Sequence, residues 1–219
     1  MGPSYTLDET KDRPVTPDTK GRVIHWAAGY DLLLRLFFLG RERSFRDRVV
    51  RTARLEPGES VLDIGCGTGS LAIAAKHRVG AAGTVCGIDA SPEMIERARR
   101  KARKAQVDVR FADSVVERMP FPDGHFDVVL STMMLHHLPR AAREQCLRET
   151  ARVLKPGGRL LVVDFGGRAE GNAGFFERFH RHGGVALPEI IALLGDAGFR
   201  IEESGALDLR GLNFVLGRR

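Results

Sequence analysis

Val61-Leu-Asp-Ile-Gly-Cys-Gly-Thr-Gly69 decides how the rest of the chain is read. The apolar run Val61 to Ile64 has the length and composition of a buried strand. Glycines follow at alternate positions, Gly65, Gly67 and Gly69, and Ser70-Leu-Ala-Ile-Ala-Ala-Lys76 starts a helix. Strand, glycine turn, helix is the arrangement that brings backbone N–H groups and a helix N-terminus up to a ligand. Glycine suits the turn because it tolerates positive φ and has no Cβ to block close approach.

Downstream, Thr84-Val-Cys-Gly-Ile88 reads as a second strand. Ser91-Pro-Glu-Met94 opens the next helix, with serine at the cap, proline in the first helical position and an acid after it. That helix runs to about Ala105. Val107 to Phe111 and Phe126-Asp-Val-Val-Leu-Ser131 read as strands three and four, the latter preceded by the turn-rich Pro120-Phe-Pro-Asp-Gly124. Arg140 to Leu154 reads as a helix stopped by Lys155-Pro-Gly-Gly158, and Arg159 to Phe165 as strand five. Leu187 to Ala197 is a last helix with Gly198 as its C-cap. Phe199 to Glu203 and Leu212 to Leu216 close the sheet as an antiparallel pair. Strands alternating with helices predict right-handed βαβ crossovers, and their unbroken apolar runs predict a sheet covered on both faces. The expected fold class is therefore α/β: a Rossmann-like, doubly wound, seven-stranded and mostly parallel sheet with an antiparallel last strand.

Upstream, Met1 to Gly21 carries Pro3, Pro14 and Pro17 among charged residues and reads as a flexible arm. Val23 to Leu39 and Arg41 to Leu55 read as two N-terminal helices capping the face where the glycine turn opens. Residues 22–219 form a single domain in this reading: capping helices over 22–56, a cofactor-binding core over 59–165, and a lid or substrate loop over 166–186. A length of 219 residues and 43% hydrophobic content fit one domain with a real core. Three widely spaced cysteines, Cys66, Cys86 and Cys146, with no Cys-x-x-Cys, argue against a disulfide framework or a zinc site and point to a reducing, cytoplasmic setting. The N-terminus is polar and proline-punctuated, unlike a signal peptide. Leu32 to Leu39, the most apolar helical stretch, is too short to span a bilayer and contains Arg35.

Two features separate the glycine turn from a dinucleotide fingerprint. That fingerprint spaces its glycines G-x-G-x-x-G, whereas here the third comes one residue early, at Gly69, and Asp63 sits inside the strand end. The second anchor is Asp89, ending strand two about 20 residues beyond the turn, where a carboxylate can accept both hydroxyls of a ribose. Capping the helix at Ser91 is the structural alternative, but Ser91 already serves that need. The third is Asp113, with Ser114, just past strand three, placed to accept from an exocyclic amine; an Asx turn is the alternative. All three lie at the carboxyl ends of adjacent strands, where open α/β sheets bind ligands.

Together with Pro120-Phe-Pro-Asp-Gly-His-Phe-Asp-Val-Val-Leu-Ser131 and Arg152-Val-Leu-Lys-Pro-Gly-Gly-Arg-Leu-Leu-Val162, these anchors resemble the class I S-adenosylmethionine-dependent methyltransferases over Glu59 to Phe165. The resemblance implies S-adenosyl-L-methionine as cofactor and S-adenosyl-L-homocysteine as product. By it, Gly65, Gly67 and Gly69, with Asp63 and Cys66, hold the methionine part. Asp89 binds the ribose, with Ala90 and Met94 beside it, and Asp113 with Ser114 binds the adenine. Ser131 lies near the sulfonium. Tyr30-Asp-Leu-Leu-Leu-Arg-Leu36 and Gly40-Arg-Glu-Arg43 are similar to the entry helices of the ubiquinone/menaquinone C-methyltransferase subgroup. Two departures stand against that subgroup: Met133-Met-Leu-His-His-Leu-Pro139 replaces its Arg-Asn-Val-type segment, and the stretch after strand five is shorter.

Methyl transfer is an in-line displacement, so the protein mainly aligns the reactants and excludes water. An oxygen, nitrogen or carbon nucleophile that must lose a proton needs a base, and histidine suits that near neutral pH. His136 and His137 follow strand four; packing or capping is the alternative role for each. Tyr30 is a further pocket candidate, with half-buried packing as its alternative. His180 and His182 are placed to close over a substrate, and no third ligand completes a metal site with them. The reading is a small-molecule methyltransferase. An RNA or protein methyltransferase, favoured by the +6 net charge, and a cofactor-binding regulatory protein without catalysis are the alternatives. Arg99-Arg-Lys-Ala-Arg-Lys104 reads as a solvated helix face rather than a nucleic-acid patch. The oligomeric state stays open, a homodimer included.

Overall fold

The computed structural model describes residues 21, 29, 36–166, 185–207 and 211–219. The arm, most of the first expected helix with Tyr30, and the stretch containing His180 and His182 lie outside the described residues. Seven strands form one sheet: β1 (Ser60–Ile64), β2 (Thr84–Asp89), β3 (Arg110–Asp113), β4 (Phe126–Thr132), β5 (Leu154–Phe165), β6 (Arg200–Ala206) and β7 (Leu212–Arg218). Their order is β3-β2-β1-β4-β5-β7-β6. The first five pair in parallel, and β7 runs antiparallel to both β5 and β6.

Helices cover both faces: α1 (Glu42–Thr52), α2 (Ser70–Val79), α3 (Pro92–Ala105), α4 (Arg140–Val153) and α5 (Leu187–Asp196). Strand alternation explains the two cores. Val61, Val128, Leu130 and Leu161 point to one face with Phe45 and Val49 of α1, Ala72 of α2 and Ile95 of α3. Leu62, Ile64, Val129 and Leu160 point to the other, with Cys146 and Leu147 of α4 and Leu194 of α5. Because both faces are buried at the centre of the sheet, β1, β2, β4 and β5 are apolar at consecutive positions, whereas the edge strands β3 and β6 are not.

Element boundaries differ most from the sequence expectation at β3 and β5; in addition α1 ends at Thr52 rather than Leu55, and β6 runs on to Ala206 rather than ending at Glu203. Helix α3 ends on Gln106, which adopts a left-handed backbone at φ 54°, and Val107 N–H returns to Ala102 C=O. The chain needs 107–109 to reverse direction, so β3 starts at Arg110 and Asp113 becomes its last residue. Strand β5 begins at Leu154, directly from α4. Phe126 pairs with Leu154 and Val128 with Arg159, so Lys155-Pro-Gly-Gly158 is accommodated as a register shift within the strand. Helix α5 closes as expected: Gly198 sits at φ 86°, and Phe199 N–H bonds Leu194 C=O.

The strand order reverses between β1 and β4. In an open α/β sheet the crevice outside the carboxyl ends at such a switch point is where ligands bind, and the glycine turn sits on one side of it.

Candidate functional site

The glycine turn is built for close approach. Gly65, Gly67 and Gly69 all adopt left-handed backbones, at φ 67°, 51° and 76°. A Cβ on Gly65 would run into the Met134 side chain, and one on Gly69 would lie 2.7 Å from Phe111 Cζ and 2.8 Å from Ala98 Cβ. Cys66 N–H ties the turn to Ile88 C=O of β2, at 2.9 Å. Burial pushes the Cys66 thiol well above its usual range, with Asp63 and Asp89 adding to the effect, so this sulfur is a packing group rather than a nucleophile.

Asp63 is a buried carboxyl with both oxygens unsatisfied. It is 1% exposed. Desolvation, reinforced by Asp89, raises its pKa to about 8; only the Ala72 amide in the first turn of α2 draws it back, without forming a hydrogen bond of normal geometry. A buried, unpaired carboxyl beside a glycine turn is a costly arrangement. A cationic ligand group would remove that cost.

Asp89 ends β2 and braces the turn. Its Oδ2 accepts from Gly67 N–H at 2.8 Å and its Oδ1 from Ser91 N–H at 2.9 Å. Both the turn and the helix start thus hang on this carboxylate, while Ser91 Oγ separately caps α3 through Met94 N–H. Desolvation raises the Asp89 pKa against these two bonds. Each carboxylate oxygen keeps a lone pair for a ligand hydroxyl. Asp113 pairs with Asp89 across β2 and β3, and Ser114 N–H bonds Asp89 C=O at 3.0 Å. Asp113 is exposed and its pKa is raised by desolvation, with Arg99 opposing the shift. Ala90, half-buried, and Met94, buried, flank this corner.

Beyond β4 the backbone is strained. Met133 takes φ 50°, and its N–H bonds Val163 C=O at 2.7 Å. Such left-handed non-glycine residues cluster at functional sites. A single 3₁₀ turn, Leu135–His137, follows. It is pinned from α4 by Arg143, whose Nε donates to Leu135 C=O at 2.9 Å and whose Nη1 pairs with Glu189 of α5. From β5, Asp164 accepts from His136 N–H at 3.2 Å, and its Oδ1 lies 2.6 Å from His136 Nδ1. The His136 ring meets His137 at 3.9 Å and Phe165 edge-on at 5.2 Å, and Phe37 meets Phe165 edge-on at 5.7 Å.

The structure therefore brings Asp63, the three glycines, Asp89, Asp113 and Ser114 to one end of the sheet, with His136 and His137 at the neighbouring strand end. Ser131 is buried with an unpartnered hydroxyl. Its register puts it beside Ile64, on the α4 face, whereas Asp63 alternates to the α2 face. Sequence reading missed Asp164, Phe165 and the strain at Met133. Asp164 carries the signal that singled out Asp63, a lone acid closing an apolar strand. The Arg152 motif holds structure instead: Arg152 donates to Phe121 C=O at 2.7 Å and Met119 C=O at 3.0 Å. A cleft of about 580 Å³ between Arg118, Phe121, Glu149 and Arg152 lies beside it, by the starts of β4 and β5, away from the strand ends that hold the acids.

A doubly wound sheet of this order, with an antiparallel seventh strand, a three-glycine turn at its switch point and acids closing β2 and β3, defines the class I methyltransferase architecture. Residues 61–158 match the methyltransferase domain family. The chain is 39% identical over 154 residues to a demethylmenaquinone methyltransferase of Thermus thermophilus, covering 70% of this chain and 69% of that protein. It is 38% identical over 141 residues to a ubiquinone/menaquinone biosynthesis C-methyltransferase of Azotobacter vinelandii, covering 64% of this chain and 55% of that one. Its fold matches a SAM-dependent methyltransferase from Aquifex aeolicus at TM-score 0.69 and 25% identity, covering 79% of this chain and 88% of that one. The chain belongs to the class I S-adenosylmethionine-dependent methyltransferases, of the ubiquinone/menaquinone C-methyltransferase type.

Proposed function

We propose that this methyltransferase acts on a small hydroxyl-bearing aromatic acceptor of the quinol class, with His136 removing the acceptor's proton. The observation that carries the proposal is the His136 imidazole, held against Asp164 and Phe165 at the strand ends beside the glycine turn. Phe37, Phe165 and His136 form a wall of rings suited to a flat apolar molecule. The name of the Thermus thermophilus relative supports the quinol class.

The donor site fits the cofactor. In our assignment Asp63 takes the ammonium of the methionine part and the glycine-turn amides take its carboxylate. Asp89 holds the ribose hydroxyls, and Asp113 with Ser114 the adenine amine. The sulfonium supplies a methyl group that is already activated. The remaining work falls to the acceptor side. Removing a ring hydroxyl proton pushes electron density onto the neighbouring ring carbon, which makes that carbon the nucleophile. His136 takes that proton, and the surrounding rings keep water out. A reducing compartment such as the cytoplasm suits the three buried, unpaired thiols. Among the described residues no helix is long and apolar enough to cross a membrane.

The test is methyl transfer from labelled S-adenosylmethionine to a short-chain demethylmenaquinol. Transfer that disappears in His136→Gln, with S-adenosylhomocysteine affinity retained, supports the proposal. Tight cofactor binding without transfer to any quinol, phenol or amine would point to a non-catalytic binding protein. Salt-sensitive binding to bulk RNA would point to a nucleic-acid substrate.

A further inference from the structure

We propose that Asp164 is the positioning residue of the acceptor side: it holds His136 with the proton on Nδ1, and balances the charge the ring acquires when Nε2 takes a proton from the acceptor. The inference rests on the reading of His136 as base and adds the residue that sets its tautomer and charge.

The geometry is that of a carboxylate fixed from three directions. Asp164 is fully buried. Its Oδ1 accepts from Phe165 N–H at 2.8 Å and contacts His136 Nδ1 at 2.6 Å, and its Oδ2 accepts from His136 N–H at 3.2 Å. An ionised carboxylate only accepts, so the 2.6 Å contact requires the hydrogen on Nδ1. In a neutral imidazole the lone pair is then on Nε2, the atom that takes a proton. The backbone bond to His136 N–H matters equally, because one side chain then fixes both the main chain and the ring of the same residue.

On the 3₁₀ turn the neighbour is His137, its ring tilted by 46° with centroids 3.9 Å apart. On β5 it is Asp164. On α4 it is Arg143, whose guanidinium is engaged by Leu135 C=O and Glu189. Asp164 is an anion in direct contact with the ring, 2.6 Å from Nδ1. When the proton leaves the acceptor hydroxyl for Nε2, the imidazolium forms against an aspartate that stays ionised. The electron pair on the acceptor's ring carbon forms the new bond to the methyl carbon as the bond from methyl to sulfur breaks, and the sulfur keeps that bond's pair. The hydrogen on the methylated carbon then leaves as a proton, its electron pair restores the aromatic ring, and the ring oxygen regains the proton held on Nε2. A buried ion pair of this geometry is worth far more to the charged state than an exposed one. A carboxylate serving only to staple the 3₁₀ turn to β5 would need the backbone bond alone.

In Asp164→Asn with the amide oxygen at the Oδ1 position, the side chain still accepts from Phe165 N–H and His136 Nδ1, so the tautomer survives; the charge is lost, and so is the acceptor for His136 N–H, because the NH2 group replaces Oδ2. The pH–rate profile is the readout that the lost backbone bond alone would not move. With labelled S-adenosylmethionine and a short-chain demethylmenaquinol, the variant should lose at least about tenfold in kcat, a fraction of what a general base contributes. KM and S-adenosylhomocysteine affinity should hold, and the acid limb of the pH–rate profile should move to lower pH. Unchanged kcat and pH profile in Asp164→Asn, with His136→Gln inactive, would overturn the role of Asp164 and leave the base reading intact. A fully active His136→Gln would overturn both. Should Asp164→Asn fail to fold, nitrogen-15 NMR of the ring in the wild-type protein decides: a protonated Nδ1 and bare Nε2 at neutral pH support the proposal, and the opposite tautomer refutes it.

Discussion

Binding of the cofactor product should release a proton from Asp63. In the free protein its pKa is about 8, because burial disfavours the carboxylate and nothing pairs with it. At pH 7, one unit lower, protonated and ionised forms stand at about 10 to 1, so about nine-tenths of the molecules hold the proton. S-adenosylhomocysteine carries an ammonium at that pH. In our assignment this group lies against Asp63 and ionises it, since an adjacent opposite charge favours the charged form. About 0.9 proton should therefore leave per site at pH 7, falling to about 0.1 at pH 9. Affinity should rise with pH, by up to about tenfold per unit below pH 8. Isothermal titration calorimetry in buffers of different ionisation enthalpy counts these protons directly. Asp63→Asn should bind without release and lose the pH dependence. Wild-type binding at pH 7 without proton release would refute the placement of the ammonium at Asp63.

Other predictions follow from the same contacts. The free protein should lose stability as pH rises from about 4 to 8: the unfolded state gives up the Asp63 proton near 3.8 while the folded state keeps it until about 8. The slope from this group approaches about 1.4 kcal/mol per pH unit, and urea titrations of wild type and Asp63→Asn should differ by it. Asp89→Ala should weaken S-adenosylhomocysteine binding by about 1–3 kcal/mol in calorimetry, since it removes a charged acceptor and releases Gly67 and Ser91 N–H. Gly69→Ala should cost about 2 kcal/mol or more in urea unfolding, from its positive φ and its overlap with Phe111 and Ala98. Gly80→Ala, at φ 72° and ψ −166° with nothing within 4 Å of a Cβ, should cost only the backbone part, about 1–3 kcal/mol, because that region is essentially reserved for glycine. Arg152→Ala should lower stability by about 1–2 kcal/mol through the freed Met119 and Phe121 carbonyls, and leave cofactor affinity unchanged.

The donor side was legible because it is local. Asp63, the glycines and Asp89 belong to consecutive strand–turn–helix units, so spacing along the chain carries their arrangement. The acceptor side is not local. His136 was visible only as a histidine after a strand. Its partner Asp164 lies 28 residues away and reaches it because β4 and β5 are neighbours in parallel register. The face of Ser131 was equally hidden, since a side chain's side of the sheet depends on register. Arg152 belonged to a motif that carried the family resemblance, yet its guanidinium ties the Met119 and Phe121 carbonyls to α4, which no spacing rule distinguishes from a ligand contact.

Sequence alone determined the sheet, its two apolar faces, the positive-φ turn and the acids closing three strands, because strand period, glycine freedom and capping act over a few residues. Tertiary structure decided the rest. Burial left Asp63 without a partner and raised its pKa, pairing with β1 turned Ser131 to the other face, and the β4–β5 register set His136 on Asp164. Each depends on what a distant part of the chain brings close, and on the water that this contact removes.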